Sequence, residues 1–348
     1  MTIRSLTKVF LPFLLLSGMY FLGPQPERPA YLPTLPIVPD SPELLEAYVE
    51  AGEREHHVKE DNEARIVWSD STRMRTKYAV IYLHGFSASQ KEGDPIHRMF
   101  AEQFHCNLFL PRLADHGIDT VDALYHFTVD RFWESAKEAL AIGGRLGEKV
   151  VIVSTSTGGT LALLLAAKYP DKVHGLINLS PNIAINDPAA FLLNNPWGLY
   201  IARAVMGGKY RNTGASADDA RYWNVRYRIE SLVQLQELLE SSMNRETFSK
   251  VTQPALTLYY YKNQEEQDPE VKVSAMLEMH DQLATTDSLK VATPVPNAGA
   301  HVIGSSMTSA DIQGVYKEIE HFAIEKLRMA AHKQHVRATS AVLRQNQD

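Results

Sequence analysis

The chain has 348 residues, a formal net charge of −6, a hydrophobic fraction of 45% and a charged fraction of 22%. A disordered chain would need lower hydrophobicity and higher net charge, so that class is excluded. The balance of charges also argues against a dedicated nucleic-acid binder, which needs an excess of Lys and Arg. The single cysteine, Cys106, excludes an internal disulfide framework and a multi-cysteine zinc site.

The amino-terminal segment, residues 1–23, is predicted to be a signal peptide or a membrane anchor. Arg4 and Lys8 precede an apolar run from Val9 to Leu22, the layout typical of such segments. As a helix this run would be about 21 Å long, short for a hydrocarbon core of ~30 Å. We expect an exported or membrane-anchored protein with the bulk of the chain outside the cytoplasm. The alternative is a cytoplasmic protein.

Two further segments flank the predicted folded part, residues 43–330. Prolines recur throughout residues 24–42, which predicts an extended, semi-rigid spacer. Residues 331–348 are polar and weakly basic, and we interpret them as a solvated tail.

The folded part alternates short apolar, β-rich runs with helical patterns. Strands are predicted at 64–68, 78–83, 107–111, 150–153, 173–179, 255–261 and 290–295, and helices at 41–49, 96–104, 129–146, 160–169, 231–243 and 312–329. Continuous apolar strands that alternate with helices indicate an α/β fold, with a mostly parallel sheet covered on both faces. The alternation stops at about 181–252, which we interpret as a helical cap inserted between two strands.

Ser156 is the candidate nucleophile because it lies in the run VVIVSTSTGG, between a buried strand and an apolar helix. Such a tight strand-to-helix turn needs small residues two positions before and two positions after the nucleophile, here Ser154 and Gly158. The usual pattern is G-x-S-x-G, so Ser154 replaces the first glycine. Alternatively, Ser156 only caps the helix, a role that Ser154, Thr155 or Thr157 could also fill.

A serine nucleophile needs a general base, and the base needs an acid to orient it. On a fold of this type the three residues follow in the order Ser, acid, His. His301 is the candidate base, because no other histidine lies between the last predicted strand and the last predicted helix. We predict Asp268 as the acid; the same loop offers alternatives, of which Glu265 is the first: Glu265, Glu266 and Glu270.

Two backbone N–H groups should bind the oxyanion that forms when the serine attacks. One is the amide of Thr157, which follows the nucleophile. The other is the amide of Phe86, in the loop HGFSAS after the strand 78–83. Gly85 lets the backbone turn in this loop, and His84 is interpreted as a structural residue that hydrogen-bonds it.

With these residues the sequence resembles the α/β-hydrolase family, and most of all its monoacylglycerol-lipase and carboxylesterase branch. The resemblance extends from about Tyr78 to Arg328 and rests on five features in order: His84-Gly85-Phe86, Asp115-His116-Gly117, the turn STSTGG at 154–159, Asp268 and His301. It implies a serine hydrolase that cleaves a carboxylic ester through an acyl-serine intermediate. The expected partner is a small-molecule or lipid-like ester, and neither a cofactor nor a metal is required.

Two other functions fit the same residues. A peptidase, an amidase or an acyltransferase could use the same triad, and an inactive member of the fold could serve as a binding protein. The apolar helix and tryptophans of the cap favour a hydrophobic acyl group. Core packing between cap and sheet would explain those residues equally well.

Overall fold

The computed structural model describes residues 18–214 and 216–332. Most of the predicted export segment, residues 1–17, and most of the predicted tail, residues 333–348, lie outside the described residues.

A seven-stranded, mostly parallel sheet forms the centre of the molecule. The strands of the chain are β1 Arg65–Val67, β2 Thr76–Leu83, β3 Asn107–Leu110, β4 Gly147–Thr155, β5 Val173–Leu179, β6 Tyr210–Asn212, β7 Arg226–Arg228, β8 Ala255–Tyr259 and β9 Lys290–Pro294. The sheet has the order β1–β3–β2–β4–β5–β8–β9, and within it only β1 runs antiparallel to its neighbour, β3. The predicted α/β fold is therefore confirmed.

Helices cover both faces of this sheet. They are α1 Pro42–Arg54, α2 Ile96–Gln103, α3 Val129–Leu146, α4 Thr157–Lys168, α5 Gly198–Val205, α6 Ala217–Tyr222, α7 Glu230–Ser242, α8 Arg245–Phe248, α9 Val273–Gln282 and α10 Ile312–Glu325. Alternate residues of β2 enter two separate cores: Ile81 packs with α3 and α4, and Val80 packs with α2 and α10. A strand buried on both faces explains why its sequence is continuously apolar.

The chain between β5 and β8 supplies the elements above the carboxyl ends of the strands. It contains the helices α5 to α8 and a two-stranded antiparallel hairpin of β6 and β7. The helix predicted at 231–243 is α7, whereas the hairpin has no counterpart among the predicted elements. Its strands are three residues long, too short to leave an alternating pattern in the sequence.

The proline-rich segment contains neither helix nor strand up to Asp40 and lies along the folded part rather than away from it. Its carbonyls accept hydrogen bonds from three side chains: Trp133 Nε1 donates to Leu32, Tyr169 to Pro33 and Lys137 Nζ to Thr34. Because proline lacks an N–H group, side-chain donors to its neighbours' carbonyls are a suitable means of fixing such a segment. No helix among the described residues is both long enough and apolar enough to cross a membrane.

Candidate active site

Ser156 lies at the sharp turn between β4 and α4. Its φ of 52° is in the left-handed region, which is strained for a serine. The helix begins at Thr157, three residues earlier than predicted, so the turn is reduced to Ser156 alone. A Cβ on Gly158 would lie 1.9 Å from the carbonyl oxygen of Leu83, so only glycine fits at that position.

Ser154 occupies the position where the usual pattern has glycine. The residue is fully buried in β4, and its hydroxyl donates a hydrogen bond to Oδ1 of Asn178 at 2.9 Å. Asn178 is the register partner of Ser154 in the neighbouring strand β5. The departure from the glycine pattern is therefore accommodated by a polar partner directly across the sheet.

Asp268 and His301 are brought together although 33 positions separate them in the chain. The ring nitrogen Nδ1 of His301 lies 2.7 Å from Oδ2 of Asp268. The other carboxylate oxygen, Oδ1, accepts the backbone N–H groups of Glu270 at 2.9 Å and Val271 at 3.0 Å. Glu265, the alternative acid, lies in an exposed turn and makes no hydrogen bond to the ring.

The pKa of His301 is shifted by opposing effects. Burial lowers the pKa, but the charge and hydrogen bond of Asp268, followed by the charges of Glu92 and Glu270, raise it above the ordinary value. His84 shows the opposite result, because burial and the nearby His116 hold its pKa well below the ordinary value. Of these two histidines, only His301 is suited to carry a proton during a reaction near neutral pH.

The HGF loop, residues 84–86, follows the carboxyl end of β2. Nε2 of His84 accepts the N–H of Leu113 at 3.1 Å, and Nδ1 lies 2.9 Å from the carbonyl oxygen of Gly85. His84 therefore links this loop to the loop after β3, the structural function that its position indicates. The ring of Phe86 contacts three aromatic rings edge-on: His116, Phe127 and Tyr227.

A cavity of about 920 Å³ contains Ser156 and His301 in its wall, together with Phe86 and Thr157. In the described part of the chain no hydrogen bond joins Ser156 Oγ to the His301 ring, a contact that often tightens only when substrate is bound. The segment between β5 and β8 supplies much of the apolar lining: Ile185, Leu192, Leu193, Ile201, Val205, Met206, Leu232 and Leu235. The cavity wall thus contains apolar side chains from the segment between β5 and β8 together with polar side chains such as Ser156 and His301.

One acidic residue in the wall of this cavity, Glu92, is not among the site residues predicted from the sequence. Glu92 is only 2% exposed, and its Oε2 lies 2.5 Å from the backbone N of Gly85 in the HGF loop. Burial raises its pKa to about 7. In the sequence it lies in the run SQKEGDP, which is indistinguishable from a polar surface loop. Only the fold reveals that this carboxylate is buried.

Comparisons with known proteins identify the fold. The structure is similar to one described under LipS and LipT, two metagenome-derived lipolytic enzymes, with a TM-score of 0.60 and 17% identity over 76% of this chain and 98% of that one. It is also similar to a monoacylglycerol lipase from Paleococcus ferrophilus, with a TM-score of 0.54 and 14% identity over 76% of this chain and 99% of that one.

A soluble variant of monoglyceride lipase from Saccharomyces cerevisiae gives a TM-score of 0.53 and 11% identity over 77% of this chain and 92% of that one. At these identities the likeness concerns the fold. No curated protein sequence gives a significant match to the chain. The model of the alpha/beta hydrolase family matches residues 80–312, more than half of the chain. The chain belongs to the alpha/beta hydrolase family.

Proposed function

We propose that the protein is a serine hydrolase that cleaves a carboxylic ester through an acyl-serine intermediate. The observation that carries this proposal is that His301, hydrogen-bonded to Asp268, lines the same cavity as a serine on a strained strand-to-helix turn. An oriented imidazole beside such a serine is the arrangement that nucleophilic catalysis by a hydroxyl requires.

In the proposed mechanism His301 removes the proton of Ser156 as the hydroxyl attacks the ester carbonyl. Asp268 holds the imidazole with its proton on Nδ1, which leaves Nε2 available as the base. The amides of Phe86 and Thr157 bind the oxyanion, and His301 then gives its proton to the leaving alcohol. Water activated by the same histidine hydrolyses the acyl-serine and restores the free enzyme.

The proposed substrates are esters with an apolar acyl group, including lipid-like ones. The apolar side chains that reach the cavity from the chain between β5 and β8 support this choice, since an alkyl chain gains free energy when it leaves water for such a wall. The size of the cavity, about 920 Å³, is within the range of sites that enclose small organic ligands.

Turnover of p-nitrophenyl esters of increasing acyl length tests this function. We expect hydrolysis by the full chain, with kcat/KM rising from acetyl to longer acyl groups, and loss of turnover in Ser156→Ala. Higher kcat/KM for the matching anilides would favour an amidase or peptidase instead. Absence of turnover on every ester and anilide would favour a binding protein.

We further propose that the amino-terminal segment holds the protein at a membrane outside the cytoplasm. Apolar side chains at the described end of this segment are exposed, Phe21 at 76% and Leu22 at 84%, and so is Val205 on α5 at 79%. Nε1 of Trp197 donates to the carbonyls of Met19 and Tyr20, so residues 18–23 of the segment lie against the start of α5, a helix that lines the cavity.

The distribution of the expressed protein tests this second proposal. The full chain should sediment with membranes, and a variant that lacks residues 1–23 should remain in the supernatant. This deletion keeps Pro24, whose carbonyl accepts the backbone N–H of Trp197. A full-length chain that is already found in the cytosolic supernatant would overturn the proposal.

A further inference from the structure

Glu92 lies in a short 3₁₀ helix, Gln90–Gly93, directly behind the HGF loop. Its Oε2 accepts the N–H of Gly85 and also lies 3.4 Å from the hydroxyl of Tyr82, which itself donates to Thr155. The carboxylate thus contacts β2 and its loop directly, and Tyr82 connects it to β4, the strand that ends at the serine turn. A hydrogen bond from a backbone N–H to a charged acceptor is among the stronger kinds in proteins.

The second oxygen of Glu92 lies beside the nucleophile. A Cβ on Gly85 would be 2.7 Å from Oε1 of Glu92 and 2.9 Å from Cβ of Ser156, so the carboxylate and the serine adjoin the same point of the loop. Among residues 18–214 and 216–332, Oε1 accepts no hydrogen bond, and Glu92 contributes to the wall of the cavity that contains Ser156.

No arginine or lysine of the described chain forms an ion pair with Glu92; the adjacent Lys91 pairs with Asp94 at 2.5 Å. The groups that face the carboxylate are Tyr82 and His301, and of these only His301 can become a cation. Burial raises the pKa of Glu92 to about 7, while Gly85, His301 and Tyr82 act in the lowering direction. Reciprocally, the charge of Glu92 raises the pKa of His301.

We propose that Glu92 is a positioning residue of this active site, which fixes the HGF loop through Gly85 and stabilises the imidazolium of His301 by its negative charge. The inference rests on the proposed ester hydrolysis, because that reaction creates both the imidazolium and the oxyanion. Fixing Gly85 holds the next amide, that of Phe86, in position for the oxyanion. Because Glu92 and the His301 side chain are both largely buried, the charge acts on His301 with less screening than it would have in water.

Two variants separate the two effects. Glu92→Gln keeps an oxygen that can accept the Gly85 N–H but removes the charge that stabilises the imidazolium, so kcat should fall by up to about 10-fold. The acidic limb of kcat/KM should move to lower pH by at most about one unit, because Glu92 is itself partly protonated near pH 7. Glu92→Ala removes the charge and the acceptor of the Gly85 N–H. The acidic limb should move by the same amount as in Glu92→Gln, and kcat should fall about 10- to 100-fold below that of Glu92→Gln, because the Phe86 amide is displaced.

Glu270→Gln is the matched control, because Glu270 also raises the pKa of His301 but is exposed. Water screens its charge, so the limb should move less than in Glu92→Gln. The Nδ1 proton of His301, followed by NMR during a pH titration, should show the same order of pKa values without reliance on turnover.

An unchanged acidic limb and NMR titration in Glu92→Gln would overturn the charge effect, and equal kcat in Glu92→Ala and Glu92→Gln would overturn the positioning of the loop.

Labelling by a fluorophosphonate keeps these outcomes distinct from failure of the proposed function. If the wild-type chain is labelled and Ser156→Ala is not, the hydrolase stands and only the inference about Glu92 fails. Labelling of the folded Glu92 variants also shows that the site has formed.

Discussion

His301 Nδ1 and Asp268 Oδ2 lie 2.7 Å apart, and the rest of the Asp268 carboxylate is already occupied by backbone donors. Because Oδ1 accepts two N–H groups, Oδ2 is the oxygen left for the imidazole. A carboxylate acceptor at Nδ1 assigns the proton of the neutral ring to that nitrogen and leaves Nε2 as the basic one. The orientation of the base therefore depends on a side chain whose own orientation is fixed by the backbone.

Replacement of Asp268 by asparagine should abolish most of the activity. The amide can present an N–H to the ring, which favours the wrong tautomer, and in serine proteases the corresponding change lowers kcat by about 10⁴-fold. Steady-state kinetics on a p-nitrophenyl ester measures the loss. Glu265→Gln, in the exposed turn nearby, is the matched control and should retain wild-type kcat. A larger loss in Glu265→Gln than in Asp268→Asn would show that Glu265, and not Asp268, orients His301.

The pH dependence of kcat/KM should report the raised pKa of His301. The base must be unprotonated to accept the proton of Ser156, so activity falls as the pH drops through the pKa of this ring. Since that pKa is raised above the ordinary histidine value of 6.5, the midpoint of the acidic limb should lie above pH 6.5. A midpoint clearly below pH 6.5 would mean that burial outweighs the carboxylates around the ring.

Gly158→Ala should destabilise the protein and reduce its activity, because the added Cβ would lie 1.9 Å from the Leu83 carbonyl oxygen. We expect a loss of about 3 kcal/mol in the free energy of unfolding, as for overpacking of a rigid site. Gly144→Ala in α3 is the control: its Cβ has no atom within 4 Å and should stabilise the helix by up to about 1 kcal/mol. Urea denaturation of both variants is the measurement, and equal midpoints would contradict the expectation.

Ser154→Gly should restore the usual pentapeptide without improving the enzyme. The variant loses the buried hydrogen bond to Asn178 and adds backbone freedom to a strand, which together should cost about 1–2 kcal/mol of stability. We expect kcat to stay within a few-fold of the wild type, because the side chain of Ser154 hydrogen-bonds Asn178 rather than a group of the triad. Thermal unfolding and ester kinetics test the two parts, and a large gain in kcat would contradict this account of Ser154.

The sequence was most informative where local pattern and tertiary role agree. Continuous apolar runs such as that of β2 predict buried parallel strands, and the run around Ser156 needs only its neighbours to indicate a strand-to-helix turn. His301 could be chosen by its place in the chain order alone. For these residues the local sequence determines the backbone conformation, and that conformation places the side chain at the site.

Features that depend on distant packing were not predictable in this way. Glu92 lies among polar residues in the sequence, and it is buried against β2 and the HGF loop, at the wall of the cavity that His301 also lines. Asp268 and Glu265 are both acids in one polar loop, and only the loop's closure decides that Asp268 meets the ring. The prolines after Gly23 predict an extended chain but not that α3 donates hydrogen bonds to it.

The most direct test of the central claim is to identify the residue that a fluorophosphonate modifies. The full chain is treated with the probe, digested and analysed by peptide mass spectrometry, with Ser156→Ala and His301→Ala in parallel. The account predicts one phosphonylated residue, Ser156, with no adduct in Ser156→Ala and strongly reduced labelling in His301→Ala. An adduct at another serine or threonine, or equal labelling of Ser156→Ala, would contradict it.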